Sequence, residues 1–322
     1  MGKYDYRGAI HLHSTYSDGH GEIPEIMSCA NDVGLDFVLL TDHDCVKAAD
    51  EGLEKWHDSS LLIVGSEITP RNNHLLAFGN GKLKGLATLK DKAPQAYIDA
   101  VNKGGWHSFI AHPDHLGTKR FNVESYKWEA WDADRFTGIS IWDLMTDWQG
   151  QLDGDDVTVE AYTNFQDWLK GPSAESLKRW DTMNQTRKVV GIGEIDNHKS
   201  TKEFNGEQLV AFPYDVAFRT VTNHVLLKNS LSPKPEEAKK QILNALAEGS
   251  SYVSFDWWDD PTEFSFEIEE GDRCASSGES LELREKAEVI VSLPAEADIK
   301  VVCNGETLWE GEGDEAIVPA EQ

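Results

Sequence analysis

At 322 residues and 36.0 kDa, the chain is long enough for one large α/β domain with a small appendage, or for two domains. Hydrophobic content of 39% with 10% aromatics excludes a disordered chain, and no apolar run approaches the roughly 18 residues that span a bilayer. A formal net charge of −27 argues against a partner such as duplex nucleic acid, which a surface of this sign repels at long range.

Residues 6–12 read as a strand leading into His11-Leu12-His13. Side chains two apart on a strand share a face, so His11 and His13 aim two imidazoles at one point; alone, such a pair reads as packed or exposed histidines. Apolar residues at helical spacing over 21–33, closed by Gly34, predict a capped helix. The apolar run 35–41 fits a parallel strand covered on both faces, ending in Thr41-Asp42-His43-Asp44. A helix is expected over 48–57 and a buried strand over 61–68, ending at Glu67, after which His74 opens the run 75–78. A helix over 91–103 precedes a strand at 108–111 that leads into His112-Pro113-Asp114-His115. The Trp-rich stretch 126–148 holds a strand at 138–141, and 160–187 is mostly helical with a break near Gly171-Pro172. A strand over 188–193 ends in Glu194-Ile195-Asp196-Asn197-His198; a strand at 223–228, a helix at 235–248 stopped by Gly249, and a strand at 252–255 complete this part.

Strands alternating with helices over some 250 residues indicate a parallel α/β fold. A barrel is expected over an open sheet, because His and acid residues recur at successive strand ends, where barrel enzymes gather their chemistry. No dinucleotide or P-loop glycine motif is present. From about residue 262 the pattern changes to period-two alternation, and Asn304-Gly305 is a hairpin turn signal. Residues 257–322 are therefore expected to form a small antiparallel β-sandwich-like accessory domain behind a 1–256 barrel domain. From Asp259 onward 19 acids face 4 bases, so −15 of the −27 lies there. Cys29, Cys45, Cys274 and Cys303 are scattered with no C-x-x-C pair and read as reduced thiols. The N-terminus lacks the apolar core of a signal peptide, so a soluble cytoplasmic protein with no membrane partner is expected.

The strand-end candidates for metal ligation are His11, His13, Asp18, His43, Glu67, His74, His112, Asp196 and His198. Imidazole with carboxylate suits Zn2+, Mn2+ or Fe2+, and the absence of Cys removes the signature of a closed structural zinc site. Nine ligands exceed one ion, so two or three divalent ions with at least one bridging carboxylate are implied. His20, His57, His107, His115 and His224 lack this context and default to surface or packing roles.

The series His11-x-His13…Ser17-Asp18-Gly19, Thr41-Asp42-His43-Asp44, Gly65-x-Glu67-Ile68, His74, Ala111-His112-Pro113 and Asp196-x-His198 resembles the polymerase and histidinol phosphatase (PHP) superfamily over roughly residues 5–256. The resemblance implies a distorted (β/α)7 TIM-like barrel with two or three divalent ions at its C-terminal face. One ion would lie on His11, His13, Glu67 and Asp196, a second on Glu67, His74 and His112, and a third, the least specific, on Asp18, His43 and His198. It also implies a phosphoesterase acting on a small phosphate mono- or diester, in which ions sharing a water of lowered pKa set up in-line attack on phosphorus.

Catalytic roles are expected for Glu67, Asp196 and His115. Asp114 and His115 could form an acid/base pair or orient a ligand. Arg71, Lys119, Arg120 and Lys199 are candidates for phosphate contact, against the plain reading of solvated surface charge. Asp42 and Glu194 read as supporting or turn residues. Trp128, Trp131, Trp142 and Trp148 read first as core, with Trp142 the best placed for a pocket. The C-terminal β segment resembles that of carbaryl-hydrolase-like members, which would make a carbamate or carboxylic ester the substrate. A non-catalytic PHP module is the third reading.

Overall fold

A computed structural model describes residues 4–119, 122–153, 159–204, 206–284 and 286–320. Strand β1 (Tyr4–Ile10) passes through helix α1 (Ile23–Val33) to β2 (Phe37–Leu40); α2 (Lys47–Asp50) precedes β3 (Trp56–His57) and β4 (Ser60–Val64). Then come β5 (Ser66–Ile68), β6 (Leu75–Phe78), α3 (Pro94–Lys103), β7 (His107–Ile110), β8 (Gly138–Asp143) and α4 (Leu144–Gly150). Helices α5 (Glu160–Thr163) and α6 (Ala174–Asn184) lead to β9 (Val190–Glu194), the hairpin β10 (Thr201–Phe204) and β11 (Glu207–Val210), α7 (Tyr214–Ala217), β12 (Val221–Leu227), α8 (Pro235–Glu248) and β13 (Ser251–Phe255). Four more strands follow: β14 (Ser265–Glu270), β15 (Arg273–Ser276), β16 (Ala287–Cys303) and β17 (Glu306–Ala320).

The helices form where apolar spacing and caps agree. In α1, Ile23, Ile26, Met27, Ala30 and Val33 are buried on one face, and Gly34, at φ 75°, donates its N–H to the carbonyls of Ala30 and Asn31. All residues of β2 and β4 are buried, as strands covered on both faces require.

Up to β13, the strands other than the β10–β11 hairpin form two sheets, β13-β12-β1-β2-β4-β3 and β5-β6-β7-β8-β9. Ile10, Leu39, Ile63, Leu76, Phe109, Ile192 and Val225, drawn from both sheets, pack in one core cluster. The sheets therefore share an interior, but among the described residues the hydrogen-bonded ladder does not close into a ring. Nor is the pairing parallel throughout: β6 is antiparallel to β5 and β7, and β12 is antiparallel to β1 and β13. Two isolated bridges span the seams, Leu12 with Asn197 and His43 with Glu67.

Three local expectations change. The strand carrying His-x-His stops at Ile10, and His11 takes φ 69°, so the two imidazoles converge through a backbone turn and not through strand alternation. Of the expected helix 48–57 only residues 48–50, within α2, are helical, because Trp56 and His57 pair with Leu61 and Ser60 in a hairpin. The C-terminal strands form a single antiparallel sheet, β15-β14-β16-β17, with no second sheet stacked on it among the described residues. Its long β16–β17 hairpin turns at Asn304-Gly305, both with positive φ as a tight turn of this type requires. Strand β17 forms one edge, and Glu306, Glu310, Glu312, Asp314 and Glu315 along it are all exposed.

Candidate metal centre

The two seams bring the candidate ligands together. His11, His13, Asp196 and His198 flank the Leu12–Asn197 bridge, while His43 and Glu67 form the other bridge. His74 arrives from the turn before β6, and His112 lies two residues beyond the end of β7. His11, His112 and Asp196 have φ of 69°, 25° and 41°. Three ligand backbones thus occupy the left-handed region, which side chains adopt at a cost when the surroundings enforce it.

Glu67, 1% exposed, is the hub. Its Oε1 lies 2.8 Å from His74 Nδ1 and 3.1 Å from His112 Nε2; its Oε2 lies 2.8 Å from His43 Nδ1, 3.5 Å from His11 Nε2 and 3.6 Å from His13 Nε2. Asp196 Oδ1 is 3.2 Å from His11 Nε2 and 3.3 Å from His13 Nε2. Asp18 Oδ1 is 3.3 Å from both His43 Nε2 and His198 Nε2, and 4.0 Å from His13 Nδ1.

Three overlapping groups with mutually close ligand atoms result: His11, Glu67 and His112; His11, His13 and Asp196; and His13, Asp18, His43 and His198. These differ in detail from the expected sets. His11 takes the place expected for His74 beside Glu67 and His112, Glu67 is not grouped with His13 and Asp196, and His13 joins the Asp18 group. His74 faces Glu67 while its Nε2 donates to the Pro70 carbonyl at 3.0 Å.

The donor chemistry fits divalent cations. His11 Nδ1 donates to Glu194 Oε2 at 2.9 Å, which leaves the Nε2 lone pair facing the Asp196 and Glu67 carboxylates. A lone pair cannot hydrogen-bond to carboxylate oxygens, so this arrangement asks for positive charge between them. His11 Nε2 and both His13 nitrogens are buried without a hydrogen-bond partner among the described residues, a costly state for polar atoms. Ligand atoms about 2.0–2.1 Å from one tetrahedral ion would lie about 3.3 Å apart, close to the spacings around His11 Nε2.

With no ion between them, the same carboxylates draw a second proton onto the His11 ring in its place. Burial opposes charge on His11, yet Asp196, Glu67 and Glu194 carry its pKa well above the usual range. Burial would raise Glu67, but His74 and His11 hold it well below the ordinary carboxylate value. His43 is lifted against burial to about 11 by its bonds to Asp18 and Glu67, and His112 to about 9 by Glu67 and Asp196. Burial and the adjacent His198 push His13 down to about 3.

Supporting residues hold the ligands. Besides orienting His11, Glu194 accepts the backbone N–H of His112. Asp42 accepts from the Ser14 N–H at 2.9 Å, the Ser14 hydroxyl at 2.7 Å and the Ser17 hydroxyl at 2.6 Å, which fixes the turn carrying Asp18. A Cβ at Gly19 would fall 2.2 Å from the His13 carbonyl oxygen, so the Ser-Asp-Gly sequence needs glycine for a close backbone approach.

The remaining candidates are placed less centrally. His115 Nε2 donates to Gln149 Oε1 at 3.0 Å, and its ring lies 5.5 Å from that of His112. Asp114 turns instead to Ser176 and Arg179 on α6, so it does not pair with His115. Arg71 pairs with Glu124 at 3.1 Å above the Tyr126 ring, and Lys199 pairs with Glu25. Lys119 is exposed, and Arg120 lies outside the described residues.

Two cavities lie near the centre. The larger, about 740 Å3, includes Trp128, Trp131 and Trp142 but none of the nine candidate ligands. The smaller, about 210 Å3, is lined by Asp196 and His198 together with His115, Tyr126, Trp148 and Gln149. Sequence reasoning missed Tyr126 and Gln149, which carry no motif and sit in the Trp-rich stretch and on α4.

No protein-family model and no curated protein matches the chain. Among solved structures, it is similar to a protein proposed to be a metal-dependent phosphoesterase from Bifidobacterium adolescentis (17% identity, 63% of this chain and 92% of that one, TM-score 0.44). It is also similar to a two-domain protein containing a predicted PHP-like metal-dependent phosphoesterase from Bacteroides vulgatus (18% identity, 98% and 86%, TM-score 0.47). A third is the lesion-specific endonuclease Q of Pyrococcus furiosus (15% identity, 78% and 58%, TM-score 0.44). Likeness of this degree carries no argument about activity, which rests on the chain's own residues. Endonuclease Q has been solved with a 27-mer duplex bearing an abasic lesion at its active site, and the exclusion of duplex nucleic acid drawn from net charge is not carried further. No helix among the described residues is long and apolar enough to cross a membrane.

Proposed function

We propose that the chain is a metal-dependent hydrolase of phosphate esters of the PHP type, with residues 1–256 as the hydrolase unit and 257–322 as an accessory β unit. One observation carries the reading: the His11 Nε2 lone pair, fixed by Glu194, faces two carboxylates inside a ring of further imidazoles. His11, His13 and Asp196 would hold one ion, Glu67 with His11 and His112 a second, and Asp18 with His13, His43 and His198 a third. When bound, such ions draw in the non-bridging oxygens of a phosphate ester, acidify water and offset charge in the transition state.

The chain's own groups do the rest. Glu194 keeps the His11 proton on Nδ1, so Nε2 stays a donor of electrons. Asp42 holds the Asp18 turn in place before substrate arrives. Burial and the neighbouring His112 push His115 down to about 4. At pH 7 it is neutral, and it serves the substrate as a hydrogen-bonding imidazole and not as an acid.

A second reading, hydrolysis of a carbamate or carboxylic ester, is favoured by a different observation. The cavity on Asp196 and His198 has no Lys or Arg in its lining among the described residues. Protein loaded with Mn2+ or Zn2+ and offered p-nitrophenyl phosphate, bis-p-nitrophenyl phosphate and naphthyl carbamate separates the two. Turnover of carbamate alone overturns the phosphoesterase reading. Absence of any metal-dependent turnover leaves a non-catalytic module.

A further inference from the structure

We infer that the cavity beside Asp196 and His198 is a subsite for a neutral aromatic ring, so that the substrates are esters whose organic group ends in one such ring. This deepens the hydrolase reading and rests on it for the position of the reacting bond.

Volume, lining and hydrogen bonding each point the same way. An apolar cavity of about 150 Å3 takes benzene, so about 210 Å3 holds a single ring with small substituents. Trp148, Tyr162, Leu152 and the Tyr126 ring, itself stacked on His115, supply aromatic and apolar surface, a lining suited to offset or edge-on aromatic contact. Trp148 is locked by its Nε1–H on the Ala161 carbonyl at 2.6 Å and by edge contact with Tyr162 at 4.9 Å, which leaves a rigid wall. With no described Lys or Arg in the lining, a second phosphate or a carboxylate would enter against the Asp196 charge, whereas a neutral group would not.

Polar side chains interrupt this surface: Thr118, Asn197 and Ser200 at its border, and two with open hydrogen-bonding atoms, His115 and Gln149. His115 is 3% exposed, and its Nδ1 has no hydrogen-bond partner among the described residues. Gln149 uses Oε1 on His115, and among the described residues its Nε2 amide is not engaged. A ring bearing one hydrogen-bonding substituent can satisfy groups that the protein leaves open.

In the reaction, water forms a bond to phosphorus, the bond from phosphorus to the ring-bearing oxygen breaks, and a proton from the water ends on that oxygen. Inorganic phosphate and an arylmethyl alcohol or phenol result.

The test uses the full chain loaded with Mn2+ and three esters whose alcohols have similar acidity: methyl, n-butyl and benzyl phosphate. The expected result is a kcat/KM for benzyl phosphate at least tenfold above that for n-butyl phosphate and for methyl phosphate. Equal values for butyl and benzyl phosphate overturn the inference while leaving the phosphoesterase reading intact. If no phosphate ester is turned over, that reading falls, and the subsite is judged by binding alone. Saturation-transfer NMR of benzyl alcohol with the loaded protein should show transfer to the ring protons. Val123→Trp, at a half-buried position lining the cavity, should reduce the transfer at least fivefold. Absence of transfer in the unsubstituted chain, or transfer unchanged in a folded Val123→Trp, overturns the subsite whatever the activity.

Discussion

Replacing His224 by Gln tests the electrostatic reasoning away from the metal centre. His224 is fully buried on β12, with Nδ1 2.9 Å from Asp5 Oδ1, Nε2 3.7 Å from Asp256 Oδ2 and its ring stacked on Tyr252 at 4.5 Å. Arg7 also reaches Asp256, at 3.4 Å, and Asp5 sits at the start of the strand whose far end delivers His11. Burial works to neutralise the ring, but the nearby Asp256 carboxylate and the bond to Asp5 lift its pKa from 6.5 to about 9. A rise of that size corresponds to roughly 3 kcal/mol of stability. Because the folded pKa is the raised one, that stabilisation is fully present below pH 6.5 and is lost as pH rises to about 9. For 322 residues unfolding cooperatively, roughly 3 kcal/mol moves Tm by about 4 °C. Calorimetry from pH 6 to pH 9.5 on both proteins should show His224→Gln several degrees less stable at pH 6, with the gap closing by pH 9.5. Parallel curves would refute the charged Asp–His–Asp cluster. Metal content should not change.

Glu67→Gln and His11→Ala should lose turnover by more than the roughly 10–100-fold that follows loss of an outer partner, and elemental analysis should find less bound metal; full metal content in both contradicts the assignment. Glu194→Gln, which disturbs His11 and the His112 backbone but touches no ion, should weaken metal binding by roughly 10–100-fold, read by competition with a chelating dye. Gly19→Ala, whose Cβ would meet the His13 backbone, should strip metal first from the Asp18 group, so that the weakest binding step in a calorimetric titration disappears. Mn2+ at a hundred times its Kd should stabilise the fold by about 2.7 kcal/mol; a Tm indifferent to Mn2+, Zn2+ and chelator would count against any site here.

How far the sequence could be read depended on whether the signal was local. Helices α1 and α8 were legible because apolar spacing, a Pro in the first turn and a terminal Gly coincide. The candidate ligands were legible because most stand at the end of an apolar run, while His74 opens one. Their grouping was not, since His11 and His13 are shared between groups through a left-handed turn that spacing alone does not reveal. The expectation for 48–57 failed because a hairpin pairing outweighs helix propensity over so short a stretch. His224 looked like a packing residue, since Asp5 and Asp256 approach it only through the pairing of β1, β12 and β13. The β10–β11 hairpin went unseen for the same reason, as its polar residues form no alternating pattern.

The acidic edge of β17 bears on how the protein behaves when crowded. An outer strand of 15 residues offers unpaired N–H and C=O groups to any passing copy, the geometry from which fibrils grow. Its row of carboxylates turns that invitation into repulsion over about a Debye length. The safeguard is colloidal and reversible. It thins as pH approaches the sequence pI of about 4.7 or as salt shortens the screening distance, and turbidity should rise there while the fold is still intact.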